Sequence, residues 1–456
     1  MKQNLLILFY IYNKIMNIWY NNYTIFIKIW YNNNDMYDEK FIIEYFERIR
    51  ERKINYIERE LNIKNIENKA ISIVGPRRAG KTYLLLNKYL SNKDNSIYIN
   101  FESIEFSNIK AEEILNIISL YESRYDIKIN TIFLDEIQNL ENWNKLVRTL
   151  IDRGYNVYLT GSSSRLLPKE LLTELRGRTI YYILLPFSFR EFLKIKMNVS
   201  KILSISEIEK IKEYLREYIK FGGYPEVIFI EDKERIIKEY YETIFYKDFI
   251  ERGKIRSFNV AKIIFEYLMQ NFSKEISINR IKKFIENQFN INTKKTIFSY
   301  LDKIQDTMSI FFVEKYSNKF FERKRWPRKV YLCDVSFANL FGKYDIGKRT
   351  ENIVYLDLLR LINNKPLIEI YYFRDYQQHE VDFLIKENNI VKELIQVSYI
   401  NNIDEMDKRE IRSLIKASNL LNCNDLKIIT WDLEDKMIKD NKEIKLIPLW
   451  KWLLNR

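Results

Sequence analysis

One segment, Gly75-Pro-Arg-Arg-Ala-Gly-Lys-Thr82, limits what this chain can fold into more than any other part of it. It follows an apolar run at residues 71–74 and precedes a leucine-rich run at residues 83–86, which is the order of strand, loop and helix. The pattern G-x-x-x-x-G-K-[ST] is that of a P-loop. Its glycines let successive backbone N–H groups point at a phosphate, beside the positive end of a helix dipole. The segment therefore predicts an α/β domain that binds a nucleotide.

Every residue of this loop is a candidate for holding the nucleotide. Lys81 is expected to reach the β and γ phosphates of ATP, and the hydroxyl of Thr82 is expected to bind Mg²⁺. The predicted cofactor-binding residues are Gly75, Pro76, Arg77, Arg78, Ala79, Gly80, Lys81 and Thr82.

A second apolar run, at residues 131–134, ends in two acids, Asp135 and Glu136. Asp135 is predicted to hold the Mg²⁺ shell opposite Thr82, and Glu136 to align and polarise the attacking water. Many strands end in solvated acids, so the pair is a weak signal alone. About fifty residues after a P-loop it becomes a strong one. The acidic pair favours ATP hydrolysis over the activity of a small-molecule kinase.

Polar residues after the next apolar run supply further candidates. Thr160 or Ser162 could sense the γ-phosphate, although a Ser-rich helix cap explains this segment almost equally well. Arg176 and Arg178 carry guanidinium groups of the kind that act as arginine fingers, within one chain or from a neighbouring subunit. Pairing with surface acids is the alternative for both arginines. Thr160 and Arg178 join Glu136 as the candidate catalytic residues.

Composition limits the class of protein and its compartment. The chain has 456 residues, 46% of them apolar, which suffices for two or three domains with sizeable cores. Two isolated cysteines, Cys333 and Cys423, and one histidine, His379, exclude a disulfide framework and a zinc site, so a reducing cytoplasm is predicted. The net charge of +13 is compatible with a polyanionic partner, although the basic residues are spread along the chain.

Residues 1–36 are apolar, and we expect them to form a poorly structured extension ahead of a translation start at Met36. Lys14, Lys28 and several asparagines interrupt them, so the uncharged stretches fall short of the roughly 20 apolar residues of a membrane-spanning helix. No stable membrane insertion is therefore expected. A single marginal membrane helix is the alternative.

Short apolar runs alternate with helical patterns in residues 37–187, and this alternation predicts a parallel α/β sheet. Residues 188–258 have a helical pattern that breaks at residues 222–225. Residues 259–340 have a helix-turn-helix pattern followed by two strands, which is the order of a winged helix. Residues 341–456 alternate strands and helices again, as a second α/β unit.

The P-loop, the strand that ends in Asp135 and Glu136, and several later motifs resemble those of the AAA-superfamily ATPases of archaea and bacteria whose C-terminal half is a domain of unknown function. The resemblance extends over almost the whole chain from about residue 52. It implies a P-loop NTPase sheet of the AAA type, followed by a helical lid, a winged-helix region and a small α/β nuclease-like domain. The motifs that carry it are the P-loop with its double arginine, the Leu-Asp-Glu strand end, Thr-Gly-Ser-Ser, Leu175-Arg-Gly-Arg178, Leu185-Pro-Phe-Ser-Phe-Arg-Glu-Phe192, Gly222-Gly-Tyr-Pro-Glu226, Tyr246-Lys-Asp248, Lys329-Val-Tyr-Leu-Cys-Asp334 and Glu380-Val-Asp-Phe383.

The C-terminal unit of this family is similar to a restriction-endonuclease core, in which a helix Glu, a strand Asp and a Glu-x-Lys pair hold a divalent metal. The matching positions here are Glu351, Asp382 and Gln396-Val-Ser398. Gln396 supplies no anionic ligand, and Ser398 does not replace the lysine charge. The unit is therefore predicted to be a degenerate, inactive nuclease core. A purely structural role is the alternative for Glu351 and Asp382.

Residues 315–329 combine basic and aromatic side chains, which suits phosphate contacts and base stacking. On a winged helix they would form the wing, with the recognition helix at residues 292–296. The alternative is a basic hairpin that packs its aromatic side chains on the next domain. The side chains in question are Lys319, Arg323, Lys324, Arg325, Arg328, Lys329, Tyr316, Phe320, Phe321 and Trp326.

Together these features predict a cytoplasmic, Mg²⁺-dependent ATPase that acts as an AAA-type switch on a client, with DNA as one candidate. Slow hydrolysis would rearrange the lid and the winged helix, in a homo-oligomer if Arg176 or Arg178 acts on a neighbouring subunit. Two alternatives stay open. One is a DNA-binding or regulatory scaffold that nucleotide only stabilises, and the other is an ATP-controlled nuclease.

Overall fold

The computed structural model describes residues 39–161, 171, 173–198, 203–289, 294–325, 327–342 and 344–455. The predicted extension at residues 1–36, Ser162 and the start of the predicted recognition helix lie outside the described residues. Among the helices that are described, none combines the length and the apolar character needed to cross a membrane.

A five-stranded parallel sheet forms the first unit. Its strands at residues 70–74 and 131–135 are buried along their whole length, as their continuous apolar sequences require. The strands are β1 (Ala70–Val74), β2 (Ser96–Asn100), β3 (Thr131–Asp135), β4 (Asn156–Thr160) and β5 (Thr179–Ile183), and the helices are α1 (Glu39–Arg50), α2 (Lys81–Leu90), α3 (Ile114–Tyr125) and α4 (Trp143–Asp152).

The order of the strands across this sheet is β2-β3-β4-β1-β5. Strand β4 therefore separates the strand that enters the P-loop from the strand that ends in Asp135. The carboxyl ends of parallel strands meet at one edge of a sheet, where ligands bind in open α/β folds. This edge brings together the P-loop after β1, Asp135 at the end of β3 and Thr160 at the end of β4. The predicted parallel α/β sheet is confirmed.

Helices follow the first sheet, and local capping explains where they begin. Ser188 and Ser204 each form a capping box with a glutamate three residues later. The predicted break at residues 222–225 is present, because Gly222 has a positive φ of 73° and Pro225 opens the next helix. These helices are α5 (Phe189–Lys196), α6 (Ile205–Phe221), α7 (Pro225–Phe229) and α8 (Lys233–Thr243), which continues as a π-helical segment, Ile244–Glu251.

A small antiparallel sheet with helices forms the next unit. Its strand order is β6-β8-β7, so the last strand lies between the two earlier ones. The elements in chain order are α9 (Phe258–Gln270), β6 (Lys274–Ile276), α10 (Ile278–Phe289), α11 (Lys294–Asp306), β7 (Ile310–Val313), α12 (Phe320–Arg325) and β8 (Arg328–Leu332).

A six-stranded mixed sheet, in the order β13-β14-β12-β11-β10-β9, forms the C-terminal unit. This confirms the predicted second sheet. The elements are α13 (Ile346–Leu361), β9 (Ile368–Arg374), β10 (Glu380–Glu387), β11 (Ile390–Val397), α14 (Lys408–Leu421), β12 (Leu426–Thr430), β13 (Asp435–Lys439), β14 (Lys442–Pro448) and α15 (Leu449–Leu454).

The C-terminal unit packs on the earlier ones through shared cores. One hydrophobic cluster joins Phe189 and Phe192 of α5 to Val354 of α13 and Phe383 of β10. Asn363, just after α13, also covers the outer edge of β5. Its Oδ1 accepts a hydrogen bond from Ile183 N at 2.8 Å, and its Nδ2 donates to Ile183 O at 2.8 Å. These contacts cross the predicted domain boundaries, and the domain division itself stays a prediction.

Candidate nucleotide-binding site

The P-loop follows β1 in a conformation that glycine makes possible. A Cβ on Gly75 would lie 2.0 Å from the carbonyl oxygen of Leu184, so no larger residue fits there. Gly80, which precedes α2, has a φ of 98°, and Arg78 has a φ of 65°. The loop therefore curls between β1 and α2, as its pattern predicts.

Lys81 lies inside this curl. Its side chain is buried, and Nζ donates hydrogen bonds to the carbonyl oxygens of Gly75 at 3.0 Å and Pro76 at 2.9 Å. Burial lowers the pKa of the ammonium, although the carboxylates of Glu136 and Asp135 act in the opposite direction. The ammonium therefore lies inside the P-loop, against the backbone carbonyl groups of Gly75 and Pro76.

Asp135 is fully buried at the end of β3, with three hydroxyl partners. Tyr98 donates to Oδ2 at 2.7 Å, Thr160 donates to Oδ1, and the Thr82 hydroxyl makes a further hydrogen bond. Burial raises the pKa of this carboxyl group, and the three hydrogen bonds oppose that shift. The structure therefore brings together Thr82, Asp135 and Thr160, the first two of which were predicted to hold Mg²⁺.

Glu136 begins the turn that leaves β3. Its φ of 50° is positive, its backbone N–H donates to the Thr160 hydroxyl at 3.2 Å, and Gln138 donates to its carboxylate. The Thr160 hydroxyl thus contacts both neighbouring acids. Its predicted role as a sensor of the γ-phosphate stays a prediction.

Arg59, which none of the predicted site motifs contains, supports the P-loop from behind. The guanidinium donates to Ala79 O at 2.8 Å and to Leu185 O at 2.6 Å, and it forms a buried ion pair with Glu191 at 3.0 Å. Glu191 also forms the capping box of α5 with Ser188. Arg59 lies in no motif, so only the fold identifies it.

The two arginines of the P-loop point to the helices beyond the sheet. Arg77 forms a two-pronged ion pair with Asp248 of the π-helical segment, with Nε–Oδ2 at 3.1 Å and Nη2–Oδ1 at 2.9 Å. Arg78 is 3.6 Å from Glu226 and 3.9 Å from Glu239, and it stacks over the ring of Tyr240. Both arginines therefore connect the phosphate-binding loop to α7, α8 and the π-helical segment.

Arg178 lies far from this site in its own chain. It precedes β5, whose first residue pairs with the first residue of β1, whereas the P-loop follows the last. Five strand residues, about 16 Å of chain, separate the two ends. Its guanidinium forms an ion pair with Asp152. This position does not fit an arginine finger that acts on the P-loop of its own chain. Action on a neighbouring subunit stays a prediction for Arg178 and for Arg176.

The C-terminal acids have an unexpected partner. Lys329, predicted to contact phosphate, is instead buried against Glu351 and Asp382, so this part of the prediction is wrong. Lys315 at the other end of the basic segment is also buried. Gln396 and Ser398 are buried as well. With the Lys329 ammonium between Glu351 and Asp382, no group of three Asp, Glu, His or Cys side chains within the described residues is arranged to hold a metal ion.

Comparison with known proteins identifies the family. Family models match in succession an AAA domain at residues 67–193, a domain of unknown function (DUF8612) at residues 212–345 and another (DUF4143) at residues 346–452. An uncharacterized protein of Methanocaldococcus jannaschii, MJ1544, is 40% identical over 435 residues, which is 91% of this chain and 95% of that protein. The chain belongs to this family of AAA P-loop ATPases.

Other similarities to this AAA protein are more distant. An uncharacterized protein of Haemophilus influenzae is 28% identical over 67% of this chain and 78% of its own length. A DNA replication initiation factor aligns with 60% of this chain and 97% of its own, at 15% identity and a TM-score of 0.22. The RuvB Holliday junction branch migration motor of Thermotoga maritima aligns with 53% and 81%, at 17% identity and a TM-score of 0.24. TM-scores this low add nothing to the assignment.

The residues of the AAA site fit a nucleotide with Mg²⁺. The curl of the P-loop is a concave backbone surface, and the buried ammonium of Lys81 supplies the charge that phosphates need. Thr82 and Asp135 offer a hydroxyl and a carboxylate oxygen beside it, which are ligands that Mg²⁺ accepts.

Replacing Lys81 with alanine is expected to weaken ATP binding by about 100-fold or more, because two or more charge-assisted hydrogen bonds to the phosphates are lost. Titration with a fluorescent ATP analogue measures the affinity. Lys93→Ala, which changes an exposed lysine just beyond α2, is the matched control. Equal affinities of the Lys81→Ala and wild-type proteins would remove the P-loop from the binding site.

Proposed function

We propose that this protein is a Mg²⁺-dependent ATPase that works as a switch, in which the bound nucleotide sets the position of the helices after the first sheet. The observation that carries the proposal is the placement of Asp135, buried beside Thr82 and next to Glu136, at the edge of the sheet where Lys81 fills the P-loop. We expect the protein to work in the cytoplasm.

Each side chain of the site has a role in this proposal. Lys81 binds the β and γ phosphates, and Thr82 and Asp135 are the residues that would hold Mg²⁺. The metal would neutralise charge that develops on the phosphates. Glu136 orients the attacking water and accepts its proton, and the Gln138 side chain holds that carboxylate in place. The Thr160 hydroxyl contacts the Asp135 carboxylate and the Glu136 backbone N–H, and so fixes the positions of these two residues relative to β4.

The switch itself is assigned to the ion pair of Arg77 with Asp248. Phosphate oxygens of the nucleotide compete with the buried carboxylate for the same guanidinium, because both are two-pronged anionic acceptors. Movement of Arg77 toward the nucleotide would leave Asp248 with Arg252, whose Nη1 is 3.0 Å from it. The π-helical segment would then be free to shift, and this links the phosphates to the helices after the sheet.

DNA is a second candidate ligand, favoured by one exposed surface. Helix α12 presents Phe320 and Phe321, 56% and 77% exposed, beside the exposed Lys319. A winged helix is proposed for the preceding elements from the order of their helices and strands, and α12, between β7 and β8, would then stand in place of its wing. Two exposed aromatic rings beside an ammonium suit stacking on bases of single-stranded DNA.

Glu136→Gln is expected to keep ATP bound while lowering hydrolysis by about 10²–10⁴-fold, which is typical for the loss of a general base. Phosphate release and nucleotide affinity are measured on the same preparation. Glu141→Gln, an exposed acid in the same loop, is expected to hydrolyse ATP at the wild-type rate. If Glu136→Gln also hydrolyses ATP at the wild-type rate, the catalytic assignment of Asp135 and Glu136 is wrong.

Asp248→Asn is expected to raise ATP affinity by about fivefold or more, because it releases Arg77 from a competing carboxylate. Glu251→Gln changes an exposed acid at the end of the same π-helical segment and is expected to leave the affinity unchanged. Calorimetric titration of the three proteins provides the comparison. An unchanged or weaker affinity in folded Asp248→Asn protein would mean that the ion pair only supports the fold.

If α12 binds single-stranded DNA, Phe321→Ala is expected to weaken binding by about tenfold through lost stacking. Adding Lys319→Ala is expected to reduce the slope of log affinity against log salt by about 0.7, one phosphate contact. Fluorescence anisotropy at several salt concentrations measures both quantities. Phe229→Ala, which removes an aromatic ring that is 65% exposed on α7, is the control. Equal binding by all variants would exclude this surface.

A further inference from the structure

Three carboxylates converge on one ammonium group between the small antiparallel sheet and the C-terminal sheet. Lys329 extends from β8, and its Nζ is 3.1 Å from Glu351 Oε1, 2.7 Å from Glu380 Oε1 and 2.8 Å from Asp382 Oδ1. Glu351 comes from α13, and Glu380 and Asp382 come from β10. Residues that are far apart in the chain therefore form one charged cluster.

Burial makes this cluster depend on its central charge. The side chain of Lys329 is 3% exposed, and those of Asp382 and Glu351 are 8% and 13% exposed. Burial acts to lower the pKa of the Lys329 ammonium, but the carboxylates of Asp382, Glu351 and Glu380 raise that pKa well above the ordinary value. Lys329 is therefore cationic at neutral pH. Without it, the buried carboxylates would have no counter-charge at this point.

The carboxylates are also held in place from outside. The Tyr331 hydroxyl donates to Glu351 Oε1 at 2.7 Å, and the backbone N–H of Val397 donates to Asp382 Oδ2 at 3.0 Å. Two of the three carboxylates are thus also held by groups other than Lys329. Such preorganised, convergent carboxylate oxygens are the ligands that hard divalent cations prefer.

We propose that this cluster is a cation site whose resident cation is the ammonium of Lys329, so that the chain itself excludes a divalent metal and joins β8 to the C-terminal sheet. The nuclease-like resemblance implies a metal at Glu351 and Asp382. The residues present do not fit that metal, because Lys329 occupies the point between them. The inference is independent of ATP binding.

Removing Lys329 should therefore create a metal site. The three oxygens lie 2.7–3.1 Å from one point, whereas Ca²⁺ takes oxygen ligands at about 2.3–2.6 Å, so a contraction of about half an ångström suffices. Burial raises the pKa of the Glu351 carboxyl group to about 8, so a divalent ion at this point would displace that proton and compensate the charge of the carboxylates better than a monovalent one.

The test is Mn²⁺ binding to the nucleotide-free, full-length chain, followed by electron paramagnetic resonance and by thermal unfolding. Lys329→Ala is expected to bind one more Mn²⁺ than wild type and to unfold at a temperature that rises by about 2 °C or more as Mn²⁺ saturates the site. Wild type and Lys315→Ala, which removes a buried lysine of the β7–β8 connection outside the cluster, are expected to show neither change. Lys329→Ala with Asp382→Asn is expected to lose the additional ion.

Each other result overturns the proposal. Wild-type protein that binds Mn²⁺ in a manner abolished by Asp382→Asn would show that the ammonium does not exclude metal. Folded Lys329→Ala without an additional ion would reduce the cluster to a structural ion pair. If Lys329→Ala does not fold, Lys329→Gln, which keeps hydrogen-bond donors, replaces it in the same titration. Failure of both variants to fold even in millimolar Mn²⁺ or Ca²⁺ would also refute a cation site.

Discussion

A charge removed from water must be paired or hydrogen-bonded, and buried ion pairs that meet this constraint join the units of this fold. Arg59 pairs with Glu191, Arg77 with Asp248, and Lys329 with three carboxylates, and in each case at least one partner is buried. In each pair the partners come from different units of the fold. The ion pairs therefore do more than add stability: they fix which segment of one unit lies against which segment of the next.

The motifs of the family resemblance are largely partners of one another. The double arginine of the P-loop contacts Asp248 and Glu226, which belong to two later motifs. The glycine pair before Glu226 approaches Asp334, whose Oδ2 accepts a hydrogen bond from Gly223 N at 2.7 Å. A Cβ on Gly222 would lie 1.7 Å from the same carboxylate. Asp334 follows β8, the strand that carries Lys329. Short patterns that are scattered along the sequence thus form a continuous path from the P-loop to the C-terminal sheet.

Local patterns predicted the first sheet, the P-loop and Asp135, because each depends on residues that are close in sequence. The break at Gly222 and the second sheet were predictable for the same reason. The partners of the buried charged side chains were not predictable. Arg59 and Glu191 are 132 residues apart, and Arg77 and Asp248 are 171 apart, so no window of sequence joins them. Lys329 shows what a local pattern misses. It lies in a basic run that is typical of an exposed surface, yet its side chain on β8 is buried.

Helix α13 shows why a change at the nucleotide would not stay local. Arg349 near its start donates to the carbonyl oxygen of Ile219 in α6 at 3.1 Å, and Glu351 binds Lys329. Asp357 accepts from Arg190 of α5 at 3.1 Å, and Asn363 beyond its end holds the edge of β5. Helix α13 and the residue beyond its end therefore contact the first sheet, the helices after it and the cluster around Lys329. If the bound nucleotide displaces the helices after the sheet, as proposed, α13 must move or these contacts must break, and either outcome would carry the state of the P-loop into the C-terminal unit.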